Sequence, residues 1–388
     1  MGEARGIASP GDPSHPISRC STADVLMPTT TAALSYDPAD PFVLTEVHVD
    51  QPRGHEILVR IEASGICHTD LVNRAVGAAD RPVLLGHEGA GIVEAVGEAV
   101  DGVRPGDRVV LTFRSCGRCR NCVADRPAYC RDALRLNGFG QRTDGSARVT
   151  TGETRVLDGF FGQSSLAGYA LSTPDNTVVV GADVDPVVAA PLGCGFQTGA
   201  GAVLNLMRPR PGSSMVVFGG GAVGLAGLLA ALAADAHTVV VVEPSPQRRA
   251  LAESLGAHAS LAPGDDVVSA VRDLTGGGAD HALDTTGRPD VLADAVAALA
   301  VGGSAVAVGL GAGVPAIDLR DLVLRGKTVH GCLEGDSVPV TFIPRLLELH
   351  ADGRLPIDRL ITAFPHTEVN DALAAQHSGG VVKPVLTW

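Results

Sequence analysis

The chain has 388 residues, 45% of them hydrophobic, and a formal net charge of -13. That length allows two domains with substantial cores, and that charge argues against a nucleic acid or an anionic membrane surface as a partner. The 48 glycines and 25 prolines point to an α/β protein with many turns, and the two lysines, Lys327 and Lys383, among 30 basic residues reflect the codon bias of a GC-rich genome.

Residues 1 to 28 are rich in Pro, Ser and Gly, lack the apolar core of a signal peptide, and have no Ser or Thr at position 6 for N-myristoylation. They read as a loose extension of a cytoplasmic protein. From Phe42 to about Pro191, short apolar runs broken by glycines, such as EILVRI, AGIVEAVG and GDRVVL, predict antiparallel β structure. Within this region Cys116, Cys119, Cys122 and Cys130 follow the pattern C-x2-C-x2-C-x7-C in a lobe at 114–131. Four thiolates so spaced can enclose a tetrahedral zinc at about 2.3 Å. Two disulfides or a redox pair are the competing reading, which a reducing compartment disfavours. A closed set of four thiolates leaves no open coordination position, so this metal is expected to be structural.

The stretch from Met215 to Ala234 carries no charge and is long enough to raise the question of a membrane span. Its central glycines instead predict a buried strand, a glycine turn and a helix start, so no membrane partner is expected. There G-x-G-x-x-G falls on Gly219, Gly221 and Gly224, with Ala222 and Val223 opening the helix. The glycines make the tight turn, allow close backbone approach and pack helix on strand, which leaves the helix N-terminus facing a pyrophosphate. Glu243 ends HTVVVVE, where a carboxylate accepts from adenosine ribose hydroxyls and repels a 2′-phosphate, predicting NAD over NADP. Arg248, counted among the cofactor contacts, and Arg249 are expected towards the exposed face of the next helix. From about Gly199 to Cys332, apolar strands alternate with Ala/Leu-rich helices, the pattern of a parallel sheet with crossover helices. The tail reads as two helices, FIPRLLELHADGRL and EVNDALAAQHSGG, and a strand, VVKPVLTW, and resembles the first region more than the second.

Cys67 in GICHTD, His87 and Glu88 in GHEGAGIVEAVG, and Cys194 in PLGCGFQTGAG each sit beside glycine. Singly, such residues are ordinary buried groups. Together, two thiolates and one imidazole leave the fourth position of a zinc open to water or substrate, as catalysis requires.

Gly86-His87-Glu88, Gly91, Gly97 and Val100 fit the signature G-H-E-x2-G-x5-G-x2-V, and residues 30 to 388 resemble the zinc-dependent alcohol dehydrogenases of the medium-chain dehydrogenase/reductase superfamily. FFGQSSLAGYA and PLGCGFQTGAGAVLN look most like the aryl (benzyl) alcohol dehydrogenases. The resemblance implies an α/β fold: a GroES-like, mainly antiparallel β catalytic domain at 29–196, a Rossmann domain with a doubly wound parallel sheet at 197–333, and a return segment at 334–388. It implies two zincs per chain, with Cys67, His87 and Cys194 holding the catalytic one, Asp70 orienting His87 and Glu88 close by. Thr69 would take up the alcohol proton, and Val72 stands where some relatives finish the relay with histidine. Around NAD it implies Thr198 beside the nicotinamide, Val308, Cys332 and Glu334 about the carboxamide, and His68 and Lys383 near the pyrophosphate. Lys383 stands where relatives carry arginine. The implied reaction is reversible oxidation of a primary aryl or allylic alcohol to its aldehyde, in a homodimer or homotetramer. Formaldehyde dehydrogenases acting on a thiol adduct share Cys-His-Thr-Asp and are the second enzyme reading. A silent NAD-binding protein is the reading from another class, and six of eight cysteines at metal positions speak against it.

Overall fold

The computed structural model describes residues 28–388 apart from positions 79, 141 and 265. The extension expected at 1–28, with Cys20, therefore lies outside the described residues, Pro28 excepted. The β-rich region builds two sheets. The first runs Val83–Leu84, Thr29–Ser35, Val43–Val49, Val149–Thr151, Thr154–Arg155. The second runs Thr177–Val179, Arg108–Leu111, Gly89–Val96, Ile57–Gly65, Lys383–Thr387, Ile361–Pro365, and Tyr169–Ser172 also pairs with Ile57–Gly65. Their pairings are antiparallel, except that Ile361–Pro365 runs parallel to Lys383–Thr387. The β structure starts before Phe42: Thr29–Ser35 buries only its second half, and its three threonines conceal the strand from an apolar pattern, although their branched side chains suit one.

The six-stranded sheet is parallel throughout, in the order Ala259–Leu261, Thr238–Val242, Ser214–Phe218, Ala279–Asp284, Leu299–Ala307, Thr328–Gly331. TVVVV is wholly buried and SMVVF nearly so, as strands covered on both faces require. Strand order reverses at Ser214–Phe218, and a doubly wound sheet binds ligands in the crevice at the carboxyl ends beside that point. The uncharged stretch resolves into this strand and the helix Ala222–Ala233. Among the described residues no single helix is long and apolar enough to cross a membrane.

Helices Pro246–Ser254, Pro289–Ala297, Pro339–Ala351 and Val369–His377 occupy the stretches read as helical. The last strand returns to the second sheet, Val385 opposite Gly65, which sets Lys383 beside Cys67. One helix was not legible: Gly195–Gly201 runs on into a π-helical turn, Ala202–Met207. Its glycines weaken an isolated helix, but a Cβ on Gly199 would lie 2.0 Å from the Val223 carbonyl oxygen. Packing against Ala222–Ala233 thus requires glycine, and it fixes Cys194 and Thr198 against the parallel-sheet half.

Candidate active site

Cys67 precedes the short helix His68–Asn73, and the Asp70 carboxylate accepts from the Cys67 backbone N–H at 2.9 Å. The other Asp70 oxygen accepts from the Gly86 N–H at 3.0 Å and from His87 Nδ1 at 2.9 Å. An ionised carboxylate only accepts, so it holds the hydrogen on Nδ1 and leaves Nε2 with its lone pair. Gly86 makes this possible at φ +97, where a Cβ would strike the Leu166 backbone nitrogen at 2.4 Å. Gln163 fixes the neighbouring backbone, donating to the His87 carbonyl at 3.0 Å and accepting from the Gly89 N–H at 3.1 Å. Phe160 and Phe161 wall the imidazole, at 5.4 and 4.6 Å between ring centres.

Cys194 enters from the opposite side, between the 3-10 turn Ala190–Gly193 and the helix Gly195–Gly201. One ligand atom from each of Cys67, His87, Glu88 and Cys194 lies within 4.8 Å of the others. His87 Nε2 is buried with no hydrogen-bond partner. An orphaned imidazole nitrogen facing two thiols is costly unless something coordinates it, so this donor set fits zinc with one position open. The hydrogen bond from Cys194 holds the Cys67 thiol well below its ordinary pKa against the cost of burial, while the same contact and burial push Cys194 up. Burial works against the charged form of His87, and Asp70 together with Cys67 more than compensates, raising its pKa.

Glu88 accepts at Oε1 from the Gly195 N–H at 3.0 Å, and both its oxygens meet the Lys383 ammonium. That pairing has no local signal in the chain. Lys383 lines a cavity with Cys67 and His68, but its charge faces Glu88 and the Ile66 carbonyl. Glu334 comes closer to the metal donors than expected for a carboxamide neighbour: its carboxylate is 3.6 Å from Cys194 Sγ and 3.5 Å from Thr198 Oγ1. Burial pushes its pKa up to about 7.

In the lobe, Cys119 Sγ lies 3.5 Å and Cys116 Sγ 4.0 Å from Cys122 Sγ, and the four thiol sulfurs lie within 4.8 Å of one another. A tetrahedron with metal–sulfur bonds of 2.3 Å has edges of about 3.8 Å, whereas a disulfide needs about 2.05 Å. The seven described cysteines are all free thiols. Backbone N–H groups of Cys116, Cys119 and Asp132 point at lobe sulfurs at 3.2 to 3.4 Å, as thiolates favour.

The dinucleotide-type crevice comprises two cavities. One, of about 410 Å³, is lined by Cys67, His68, Gly221, Ala222, Val223 and Lys383 among others; the next, of about 770 Å³, by Gly219, Glu243 and Thr286. Arg248 borders both, and its buried Nε lacks a partner. Neither arginine lies open on the helix face as expected: both are half-buried, and Arg249 folds back onto the Glu243 and Pro244 carbonyls at 2.7 and 2.8 Å. Glu243 also braces the glycine turn, accepting from the Gly220 N–H at 2.6 Å and the Ser245 N–H at 2.8 Å. The Val308 and Cys332 amides belong to the adjoining strand ends, bonded to the Asp284 and Ala307 carbonyls at 2.9 Å each. Of the site residues, Gln163, Phe160 and Phe161 were missed. Their only trace was the FFGQSS run, which has no period or metal spacing to mark it.

Residues 53–180 match the alcohol dehydrogenase GroES-like domain, and residues 222–351 match the zinc-binding dehydrogenase family. The chain is 46% identical over 363 residues to the geraniol dehydrogenase of Castellaniella defragrans, covering 92% of this chain and 97% of that one. It superposes on an alcohol dehydrogenase zinc-binding domain protein from Burkholderia ambifaria with a TM-score of 0.90 and 43% identity. On the benzyl alcohol dehydrogenase of Acinetobacter calcoaceticus the TM-score is 0.87 with 39% identity, and both superpositions cover 93% of this chain and 99% of the other. The chain belongs to the zinc-dependent alcohol dehydrogenases of the medium-chain dehydrogenase/reductase superfamily.

Proposed function

We propose that this chain oxidises primary aryl or allylic alcohols to aldehydes, reversibly and with NAD. The observation that carries the substrate class is a cavity of about 320 Å³ beside the Cys67–His87–Cys194 site, lined by Phe113, Phe139, Phe160, Phe161 and Leu333, with Glu334 at its boundary. Aromatic walls favour a flat or unsaturated hydrocarbon attached to the carbinol. The names of the geraniol and benzyl alcohol relatives agree with that chemistry. The thiol-adduct reading gains less, because the carboxylates of such an adduct call for cations and this cavity's lining includes no Arg or Lys.

Bound zinc would supply a Lewis acid that acidifies the alcohol and polarises the aldehyde carbonyl. Cys67, His87 and Cys194 would hold it, and Asp70 keeps His87 in the tautomer that binds a metal. Thr69, whose hydroxyl lies 3.8 Å from Cys67 Sγ, would accept the alcohol proton. Val72 is 62% exposed, so the proton would pass onward to water. The Ala222–Ala233 helix N-terminus, Arg248 and His68 would bind the pyrophosphate, and Glu243 the adenosine ribose. Thr198, Val308 and Cys332 would flank the nicotinamide.

The same reading divides the chain at 29–196, 197–333 and 334–388, the last completing the first. It places the enzyme in the cytoplasm, where the lobe thiols stay reduced. We also propose a homo-oligomer: Val301, Leu319, Val323 and Leu324, 67 to 74% exposed, cluster about the last strands of the parallel sheet, where an edge needs cover.

The test is metal analysis, expected to give two zincs per chain, with NADH formation on benzyl alcohol, cinnamyl alcohol, geraniol and ethanol. Preference for ethanol would sink the substrate class, faster turnover with NADP would sink the cofactor assignment, and no turnover of any alcohol would leave the silent-protein reading. Cys194→Ser should abolish turnover in a folded protein, whereas Cys119→Ser should cost folding or assembly.

A further inference from the structure

The four-cysteine lobe reaches beyond its own metal site. Between Cys122 and Cys130 the chain makes a 3-10 turn, Pro127–Tyr129. Tyr129 extends from it to the segment joining strand Thr328–Gly331 to helix Pro339–Ala351. There its hydroxyl accepts from the Leu333 N–H at 3.3 Å and donates to the Gly331 carbonyl at 3.4 Å. Arg126 stacks over the Tyr129 ring at 4.5 Å and approaches the Asp336 carboxylate at 3.7 Å. These contacts bracket Glu334 on both sides.

The bracketed segment needs to be held. Glu334 and Asp336 both have φ of +49, a left-handed conformation that residues other than glycine keep only when their surroundings over-determine it. From the other side, Asn205 donates to the Gly335 carbonyl at 3.1 Å and Ser337 Oγ to the Glu334 carbonyl at 2.6 Å. The lobe and the bracketed segment also line one apolar cavity: the lobe contributes Ala128, the helix after it, Ala133–Asn137, contributes Ala133 and Leu134, and the bracketed segment contributes Leu333 and Glu334. The Tyr129 hydroxyl is a direct tie between these two walls.

We infer that Tyr129 is a positioning residue for the reaction. It sets the spacing between the lobe wall and the Leu333–Glu334 wall of the alcohol pocket. This rests on the proposed reading of the Cys67–His87–Cys194 site as the reaction centre.

Tyr129→Phe in the zinc-loaded, full-length enzyme removes the hydroxyl and keeps the ring. Expected are two zincs per chain, a melting temperature close to that of the parent, and amide exchange across 331–336 faster by about fivefold, the worth of one neutral hydrogen bond. KM for benzyl alcohol should rise by about the same factor with a smaller change in kcat, and preference for benzyl alcohol over ethanol should fall. Arg126→Ala, at an exposed position, should move exchange and KM the same way by less. The inference is overturned by unchanged exchange and KM in Tyr129→Phe, or by activity lost only in proportion to zinc or folded protein. Should Tyr129→Phe not fold, the same two readouts on Arg126→Ala decide. If the parent enzyme turns over no alcohol, the proposed function fails, while the exchange measurement still judges the tie.

Discussion

The Lys383 ammonium lies 2.9 and 2.8 Å from the two carboxylate oxygens of Glu88, and the side chains are 2% and 0% exposed. Residues 295 positions apart meet because the last strand pairs with Ile57–Gly65, directly before Cys67. Burial disfavours the lysine charge, but Glu88, with the Cys67 and Cys194 thiols, more than restores it and raises its pKa. The pairing of the last strand and the proposed catalytic site therefore share one ion pair.

Removing one partner leaves the other as an unpaired buried charge, whose cost exceeds the net value of the pair. Lys383→Ala should lower unfolding free energy by about 3 to 5 kcal/mol, and Glu88→Gln with Lys383→Met should recover much of that. Chemical denaturation of the single and double variants measures it. Additive losses would show that the two do not act as a pair.

Asp70 bonds the Cys67 amide, the Gly86 amide and His87 Nδ1 at once. Asp70→Asn forces one amide edge to serve positions that all need an acceptor, so the imidazole loses its fixed tautomer. Catalytic-site zinc affinity should fall by about 10- to 100-fold while the lobe metal is retained. Competition with a chromophoric chelator, releasing zinc in two phases, would resolve the two sites.

Asp158, directly before the Gly159-Phe160-Phe161 run that walls His87, is 7% exposed, and burial pushes its pKa up to about 6 despite Arg148 at 3.0 Å. Its folded-state pKa lies above the unfolded value, so between about pH 4 and 6 the folded state binds more protons. Stability associated with this group is thus present at low pH and lost as pH rises through that window. Asp158→Asn should gain on the parent by up to about 3 kcal/mol between pH 4 and pH 7, read from unfolding curves at each pH. A difference that stays constant with pH would refute it.

Both metal-donor sets and the glycine fingerprint were legible because thiol spacing and glycine requirements are local. What stayed hidden depends on chain closure. Lys383 could be placed near the cofactor by resemblance, but its partner depends on which strand the tail joins, and a strand pattern does not specify its neighbour. Thr29–Ser35 and the helix Gly195–Gly201 went unread because threonines and glycines give weak local signals, and pairing or close packing overrides them. Arg248 and Arg249 were expected on an exposed face, yet the return of the Glu243 loop draws one to backbone carbonyls and sets the other in the crevice.

Val72 faces solvent, 62% exposed, on the helix that carries Thr69 and Asp70. Position 72 has no titratable side chain, so on the proposed relay a proton passed from Thr69 and the nicotinamide ribose would leave through water. Val72→His would add a group with an ordinary pKa of about 6.5 at that exit. Hydride transfer, followed by NADH formation in single turnovers with benzyl alcohol, should acquire a new inflection near that pH, with faster transfer above it where the imidazole is neutral and can accept. The exposed position makes a folding defect a poor explanation for such a change, and an unaltered profile would mean that the proton leaves by a route that does not pass residue 72.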